Sequence, residues 1–170
     1  ADRGHWGLNL SRRRQLQVCI RDEEKTDPLV TDEKAGLVKA FQDVTAAWDS
    51  TGLCLFTSFA WSLDNVAPHM DSACEGDWDA DRLMETGERI WNLERDFNMR
   101  AGLTAADDTL PKRLLEEAAN TGPAEGKVSG LAEMLPEYYR ERGWRQDGHL
   151  SDETRARLRL PGYIDALSRC

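Results

Sequence analysis

Residues 79–100 carry the clearest helix signal in the chain, and this long segment most constrains the fold. The apolar side chains that recur there at helical spacing are Leu83, Ile90, Leu93 and Phe97. Such a stripe predicts that one face of the helix is buried. The helix is expected to begin at Asp79, and Gly102 supplies a residue that can stop it.

A second stripe precedes this helix, and Thr31 or Asp32 is its expected N-cap. Its members are Leu37, Phe41, Val44 and Trp48. Shorter helices are expected through Leu114, over residues 131–142 and after Ser151. Leu and Ala far outnumber Val and Ile, and neither a repeat nor a set of strands large enough for a sheet is present. The sequence therefore predicts an all-α fold, a compact assembly of short and medium helices in a single domain spanning residues 1–170.

Two segments between the helices carry their own expectations. Residues 53–61 are apolar on every side, which predicts a buried helix or short central segment in which Cys54 is screened from solvent. Residues 62–77 contain Pro68 and many acidic residues, which predicts a loop.

The charge of the chain limits its partners. The formal net charge is -9 and the pI is near 4.9. Nucleic acids and anionic membranes would repel such a surface, so neither is an expected partner. No apolar run reaches membrane-spanning length and no signal-peptide pattern is present, so we expect a soluble cytoplasmic protein.

The four cysteines are Cys19, Cys54, Cys74 and Cys170. None forms a C-x-x-C pair, so the chain does not encode a complete zinc or iron–sulfur site of its own. Cys54 follows Asp49 and Gly52, and two interpretations of this group remain open. It is either a helix C-cap followed by a core thiol, or part of a site whose remaining ligands lie elsewhere.

Two stretches of the chain resemble a known family. The first is the motif Asp-x-x-Gly-Leu-Cys at residues 49–54. The second consists of GERIWNLERDFNMRAG at residues 87–102 followed by DDTLPKR at residues 107–113. They resemble the C-terminal region of the tungsten-containing aldehyde ferredoxin oxidoreductases. We expect most of the later words to serve helix packing, with Arg89, Asn92, Arg95 and Arg100 joining helices.

The resemblance implies a function. Enzymes of this family hold tungsten, or molybdenum in some relatives, between two pterins with a [4Fe–4S] cluster nearby. They oxidise aldehydes to carboxylic acids and pass electrons to ferredoxin. The chain would be the C-terminal part of such an enzyme, and it would need an N-terminal portion that supplies the pterin-covering domain. A homodimer is compatible with this assignment.

The resemblance also implies roles for individual residues. Asp49 would bind one pterin, and Gly52 and Leu53 would bring the main chain against the cofactor. Cys54 would be the fourth ligand of the cluster, and His5 would be a proton-transfer group. The other three cluster cysteines and the second Asp-x-x-Gly motif are absent from the chain. We therefore expect the isolated chain to be inactive, and the alternative is a catalytically inactive helical interaction module from a truncated or split gene.

Overall fold

The computed structural model describes residues 29–31 and 34–160, and within these ranges the chain is helical with no strand. The helices in chain order are α1 (Lys34–Ser50), α2 (Leu63–Ala73), α3 (Ala80–Arg100), α4 (Lys112–Glu116), α5 (Leu131–Arg142) and α6 (Asp152–Arg157). Short 3₁₀ helices cover Leu55–Phe59 and Ala105–Asp107. The predicted all-α fold is confirmed, and none of these helices is long and apolar enough to cross a membrane.

Local capping sets the predicted helix ends. The Asp79 carboxylate accepts a hydrogen bond from the Arg82 amide at 2.7 Å and starts α3. Ser151 accepts one from the Thr154 amide at 3.1 Å and starts α6. Gly143 takes a φ of +69°, which ends α5. These ends agree with the sequence predictions.

The main core lies where α1, α2 and α3 meet. Its buried members are Ala47, Trp48, Leu63, Val66, Ala67, Ala80 and Leu83. Gly87 in α3 lies directly against α1, because a Cβ at this position would come within 1.9 Å of the Asp43 carbonyl oxygen. The two helices therefore approach backbone to backbone, and only glycine permits that distance.

A buried ion pair joins α1 to α5. The guanidinium of Arg142 donates to the Asp43 carboxylate at 2.5 Å, and the two side chains are 0% and 1% exposed. Arg142 also donates to Gln42 and Tyr138, and Lys39 pairs with Asp43 at 2.9 Å. Both buried charges thus have full sets of partners, as burial of charge requires.

Three sequence expectations are wrong in detail. Residues 54–61 are largely exposed and contain a 3₁₀ helix at Leu55–Phe59 rather than a buried helix, while Leu53 packs against the core beside Leu63 and Val66. The predicted loop at residues 62–77 is largely helix α2, started by a reciprocal cap between Ser62 and Asn65 despite Pro68 inside the helix.

The third correction concerns the buried face of α3. Leu83 is buried, but Leu93 is 49% exposed and Phe97 is 70% exposed. The face turned inward carries Gly87 and Asn92 instead, because backbone contact with α1 and a hydrogen bond from Trp144 to Asn92 (2.8 Å) fix the rotation of the helix.

The Asp43–Arg142 pair generates a stability prediction. Asp43→Ala should lower the free energy of unfolding by about 3–5 kcal/mol, because it leaves the Arg142 charge buried without its carboxylate. Urea denaturation measures this change. The control is Glu137→Ala, which removes the exposed pair with Arg140 (3.3 Å) and should cost less than about 1 kcal/mol. Equal effects of the two substitutions would contradict the assignment.

Candidate functional site

Helix α1 ends in a turn between Trp48 and Cys54. The Thr51 amide donates to the Trp48 carbonyl at 3.0 Å, and the Gly52 amide donates to the Asp49 carbonyl at 3.3 Å. Gly52 has a φ of +76°, in the left-handed region that favours glycine. A Cβ on Gly52 would meet no heavy atom within 4 Å. The backbone angle, and not crowding among the described residues, therefore calls for glycine here.

The carbonyl of Cys54 is held by three donors. The buried Trp48 indole N–H donates to it at 3.2 Å, the Thr57 amide at 2.9 Å and the Thr57 hydroxyl at 2.7 Å. The main chain at Cys54 is thus tied both to the core and to the following 3₁₀ helix. Sequence reasoning missed this role of Trp48 and Thr57. The one available signal was the position of Thr57, three residues after Cys54, where a hydroxyl can reach back to a carbonyl.

The side chains around this turn divide between core and solvent. Leu53 is half-buried and packs against the main core. Asp49 and Cys54 are exposed, and the Cys54 thiol is free. The expectation that Cys54 is screened from solvent is therefore wrong. Leu53 packs against the core, and the backbone at Cys54 is extended (φ -62°, ψ 132°), so the Cys54 side chain lies outside the core.

Asp49 and Cys54 have the chemistry that the implied cofactors need. A thiolate is the protein ligand that iron–sulfur clusters use, and a carboxylate accepts paired hydrogen bonds from neighbouring N–H groups. In the part of the chain that the structure describes, the Asp49 carboxylate has no hydrogen-bond or salt-bridge partner. The same part contains no group of three or more His, Cys, Asp or Glu residues able to hold a metal. The donors thus fit one corner of a site, to which the described residues add no further group of metal ligands.

Not every predicted site residue can be placed. The structure brings Asp49, Gly52, Leu53 and Cys54 together in one turn. His5, the predicted proton-transfer group, lies outside the described residues, as do Cys19 and Cys170. Cys74 is a second exposed free thiol, located just after α2.

The second family-like stretch forms a packing network. Arg95 donates two hydrogen bonds to the Asp108 carboxylate, both at 2.6 Å, and one to the Gly148 carbonyl at 2.8 Å. The Tyr139 hydroxyl donates to the same carboxylate. With the bond from Trp144 to Asn92, these contacts tie α3 to the segments that follow the second 3₁₀ helix and α5, in keeping with the packing role predicted for Asn92 and Arg95. Arg100 pairs with Asp96 in its own helix at 2.9 Å, and Arg89 is exposed.

This network shifts the acidities of its members. Partial burial raises the pKa of Asp108, but the hydrogen bonds from Arg95 and Tyr139 outweigh it, so the pKa lies below its ordinary value of 3.8. Burial and the bond to Asp108 raise the pKa of Tyr139 to about 12. A half-open cleft of about 400 Å³ lies beside these groups. Arg95 and Asp108 in its lining are paired with each other, as a packing role predicts.

Comparison with known proteins identifies relatives over most of the chain. Residues 6–160 match the family model described as aldehyde ferredoxin oxidoreductase, domains 2 and 3. A tungsten-containing aldehyde ferredoxin oxidoreductase of Pyrococcus abyssi is 46% identical over 142 residues, which are 82% of this chain and 23% of the relative. The enzyme of the same name from Pyrococcus furiosus is 48% identical over 131 residues, covering 76% of this chain and 22% of the relative. The chain thus spans about a quarter of the length of these relatives.

A solved structure also shares the fold. The active-site complex BamBC of benzoyl coenzyme A reductase, with bound 1,5-dienoyl-CoA, superposes with a TM-score of 0.64 at 24% identity. The match covers 84% of this chain and 21% of that chain. At this level of identity the likeness shows the fold alone.

The turn at Gly52 generates a prediction about stability. Gly52→Ala should cost about 1–2 kcal/mol of unfolding free energy, because a Cβ is disfavoured at this φ although space is open. Gly52→Asn is the matched control and should cost less, since asparagine tolerates the left-handed region better. Urea denaturation compares the two variants. An alanine variant as stable as the original chain would contradict the assigned backbone requirement.

The Asp108 carboxylate generates a prediction about pH. Its pKa is lowered in the fold, so its contribution to stability is full above about 3.8 and is lost as the pH falls through the lower folded value. Asp108→Asn should reduce stability near neutral pH and flatten the decline in acid. Urea midpoints between roughly pH 2 and pH 7 measure both effects. A decline in acid that is unchanged in the variant would show that Asp108 does not contribute to it.

Proposed function

The chain belongs to the aldehyde ferredoxin oxidoreductase family, and on that premise we propose that it forms the C-terminal part of an enzyme that oxidises aldehydes to carboxylic acids. An aldehyde and water give a carboxylic acid, two protons and two electrons, and the electrons go to ferredoxin. When bound, a tungsten or molybdenum bis-pterin and a [4Fe–4S] cluster supply the electron-accepting chemistry. Both need polypeptide beyond this chain, which on its own we propose to be inactive.

Cys54 carries the proposal. Its thiol is exposed and free, while its main chain is fixed by Trp48 and Thr57. An iron ligand needs this combination, because the sulfur must reach the metal and the backbone must hold it there. We assign Cys54 as the fourth ligand of the cluster. Iron would keep its thiolate deprotonated.

Asp49, Gly52 and Leu53 are assigned to one pterin. The Asp49 carboxylate is exposed and can accept two N–H groups side by side. The open space at Gly52 permits close approach of a flat ring to the main chain. The Leu53 amide already donates to the Thr51 hydroxyl at 3.3 Å, so its carbonyl is the main-chain group available for binding.

The remaining assignments follow from the family premise. His5 is proposed to transfer a proton during aldehyde oxidation. The required partner is the N-terminal portion of the same enzyme, and ferredoxin is the electron acceptor. The enzyme is proposed to work in the cytoplasm, and a homodimer is compatible with its function.

The test uses Cys54 and Cys74 as a matched pair of exposed thiols. The chain is co-expressed with the portion of the Pyrococcus abyssi relative that lies outside the match. We expect a brown complex that contains iron, and we expect Cys54→Ser to remove most of the iron and the visible absorbance, since three thiolates hold a cubane poorly. Cys74→Ser should leave both unchanged.

Two outcomes would contradict the proposal. An unchanged spectrum in the Cys54→Ser variant would remove Cys54 from the ligand set. A complex that forms without iron would favour the alternative, a helical interaction module with no redox chemistry. The chain expressed by itself should contain no iron on metal analysis.

A further inference from the structure

An apolar surface projects from the segment that follows Cys54. We call it the aromatic lip and define it by Leu55, Phe56, Phe59 and Trp61. These side chains are 49%, 76%, 55% and 42% exposed, respectively. Four large apolar side chains left in water within seven residues would weaken solubility, and such patches on folded proteins mark interaction sites.

Internal contacts hold the segment that carries the lip. The Thr57 and Ala60 amides donate along the 3₁₀ helix at 2.9 and 3.0 Å. The rings of Phe56 and Phe59 pack with their centroids 5.9 Å apart, and the Trp61 ring stacks on His69 at 5.4 Å. A partner would therefore meet a backbone that is already held by hydrogen bonds, which lowers the entropy cost of association.

The lip is also free of charge within an acidic chain. Residues 53–61 contain no Asp, Glu, Lys or Arg, whereas the whole chain has 31 acidic and 22 basic residues. A surface of this composition fits an apolar protein face. It does not fit a charged ligand or a nucleic acid, which need basic groups.

The position of the lip points to one occupant. It begins at the residue after Cys54, whose thiol is exposed on the same segment. More than three quarters of each relative lies outside the match with this chain. A polypeptide that brings the other cluster ligands to Cys54 must come close to residues 55–61 as well.

We propose that the aromatic lip is the docking surface for the N-terminal portion of the same enzyme, and that it binds an uncharged apolar face there. This inference rests on the proposed function, because it takes its partner from that proposal. It goes further by naming the residues that make the contact and the kind of contact they make. Docking through the lip should depend weakly on salt, since it involves no ion pairs.

The experiment measures how fast the chain dissociates from the complementary portion of the Pyrococcus abyssi relative after co-expression and immobilisation of that portion. It is run in the Cys54→Ser background, so that no bond from this chain to a cluster contributes. Phe56→Ser should speed dissociation by about tenfold or more, because the phenyl group is buried only in the complex. Raising the salt concentration should change the rate little.

Two leucines of equal exposure provide the control. Leu55 is 49% exposed and Leu114, in α4, is 51% exposed. Leu55→Ser should speed dissociation and Leu114→Ser should not. Circular dichroism of the free variants checks that each remains helical, since neither side chain lies in the core.

The outcomes separate this inference from the proposed function. Iron is measured in the complex with Cys54 intact, and dissociation is measured in the Cys54→Ser background. No iron with Cys54 intact, together with faster dissociation on Phe56→Ser, supports the docking surface and contradicts the redox function. Iron with Cys54 intact, together with dissociation that is insensitive to Phe56→Ser and Leu55→Ser, overturns the docking surface alone.

Two other occupants would also overturn the docking inference. One is a second copy of this chain, which would appear as a dimer of the chain by itself that Phe56→Ser dissociates. The other is residues 1–28 of the same chain. In that case hydrogen exchange at residues 55–61 would be slow in the chain by itself and fast after residues 1–28 are removed.

Discussion

The buried ion pair between Asp43 and Arg142 holds the structure together at the centre of α1. It fixes α5 on one side of that helix, while Gly87 brings α3 into backbone contact at the same residue, Asp43. Two helices that are distant in sequence therefore meet α1 at one level. The contacts at Asp43 fix the rotation and direction of α1, and they thereby fix the position of the candidate site at its C-terminal end.

The candidate site extends this framework by one turn. Trp48 is buried in the core that α1 shares with α2 and α3, and its indole N–H reaches out to the Cys54 carbonyl. The same residue thus belongs to the core and to the site. This hydrogen bond ties the main chain at Cys54 to the packed helices, and the Thr57 hydroxyl donates to the same carbonyl.

The sequence predicts well those features that depend on local chemistry. Neighbouring residues determine where α3 begins after Asp79, where α5 ends before Gly143 and how the turn at residues 49–54 forms. Burial is harder to predict from the sequence, because apolar residues have the same pattern whether they fill a core or lie on a surface. Phe97 and the run from Leu53 to Trp61 look like core in the sequence, but the inward face of α3 is decided by Gly87, a residue with no side chain. The Asp43–Arg142 pair, 99 residues apart, leaves no local trace at all.

The three hydrogen bonds on the Cys54 carbonyl have a consequence for how this segment can change over time. They tie Trp48, Cys54 and Thr57 at separations of six and three residues. Inserting or deleting one residue between Trp48 and Cys54 would move the Cys54 sulfur from its present position while the helices stayed intact. The number of residues between Trp48 and Thr57 is therefore constrained as well as the identity of the residues that make these bonds.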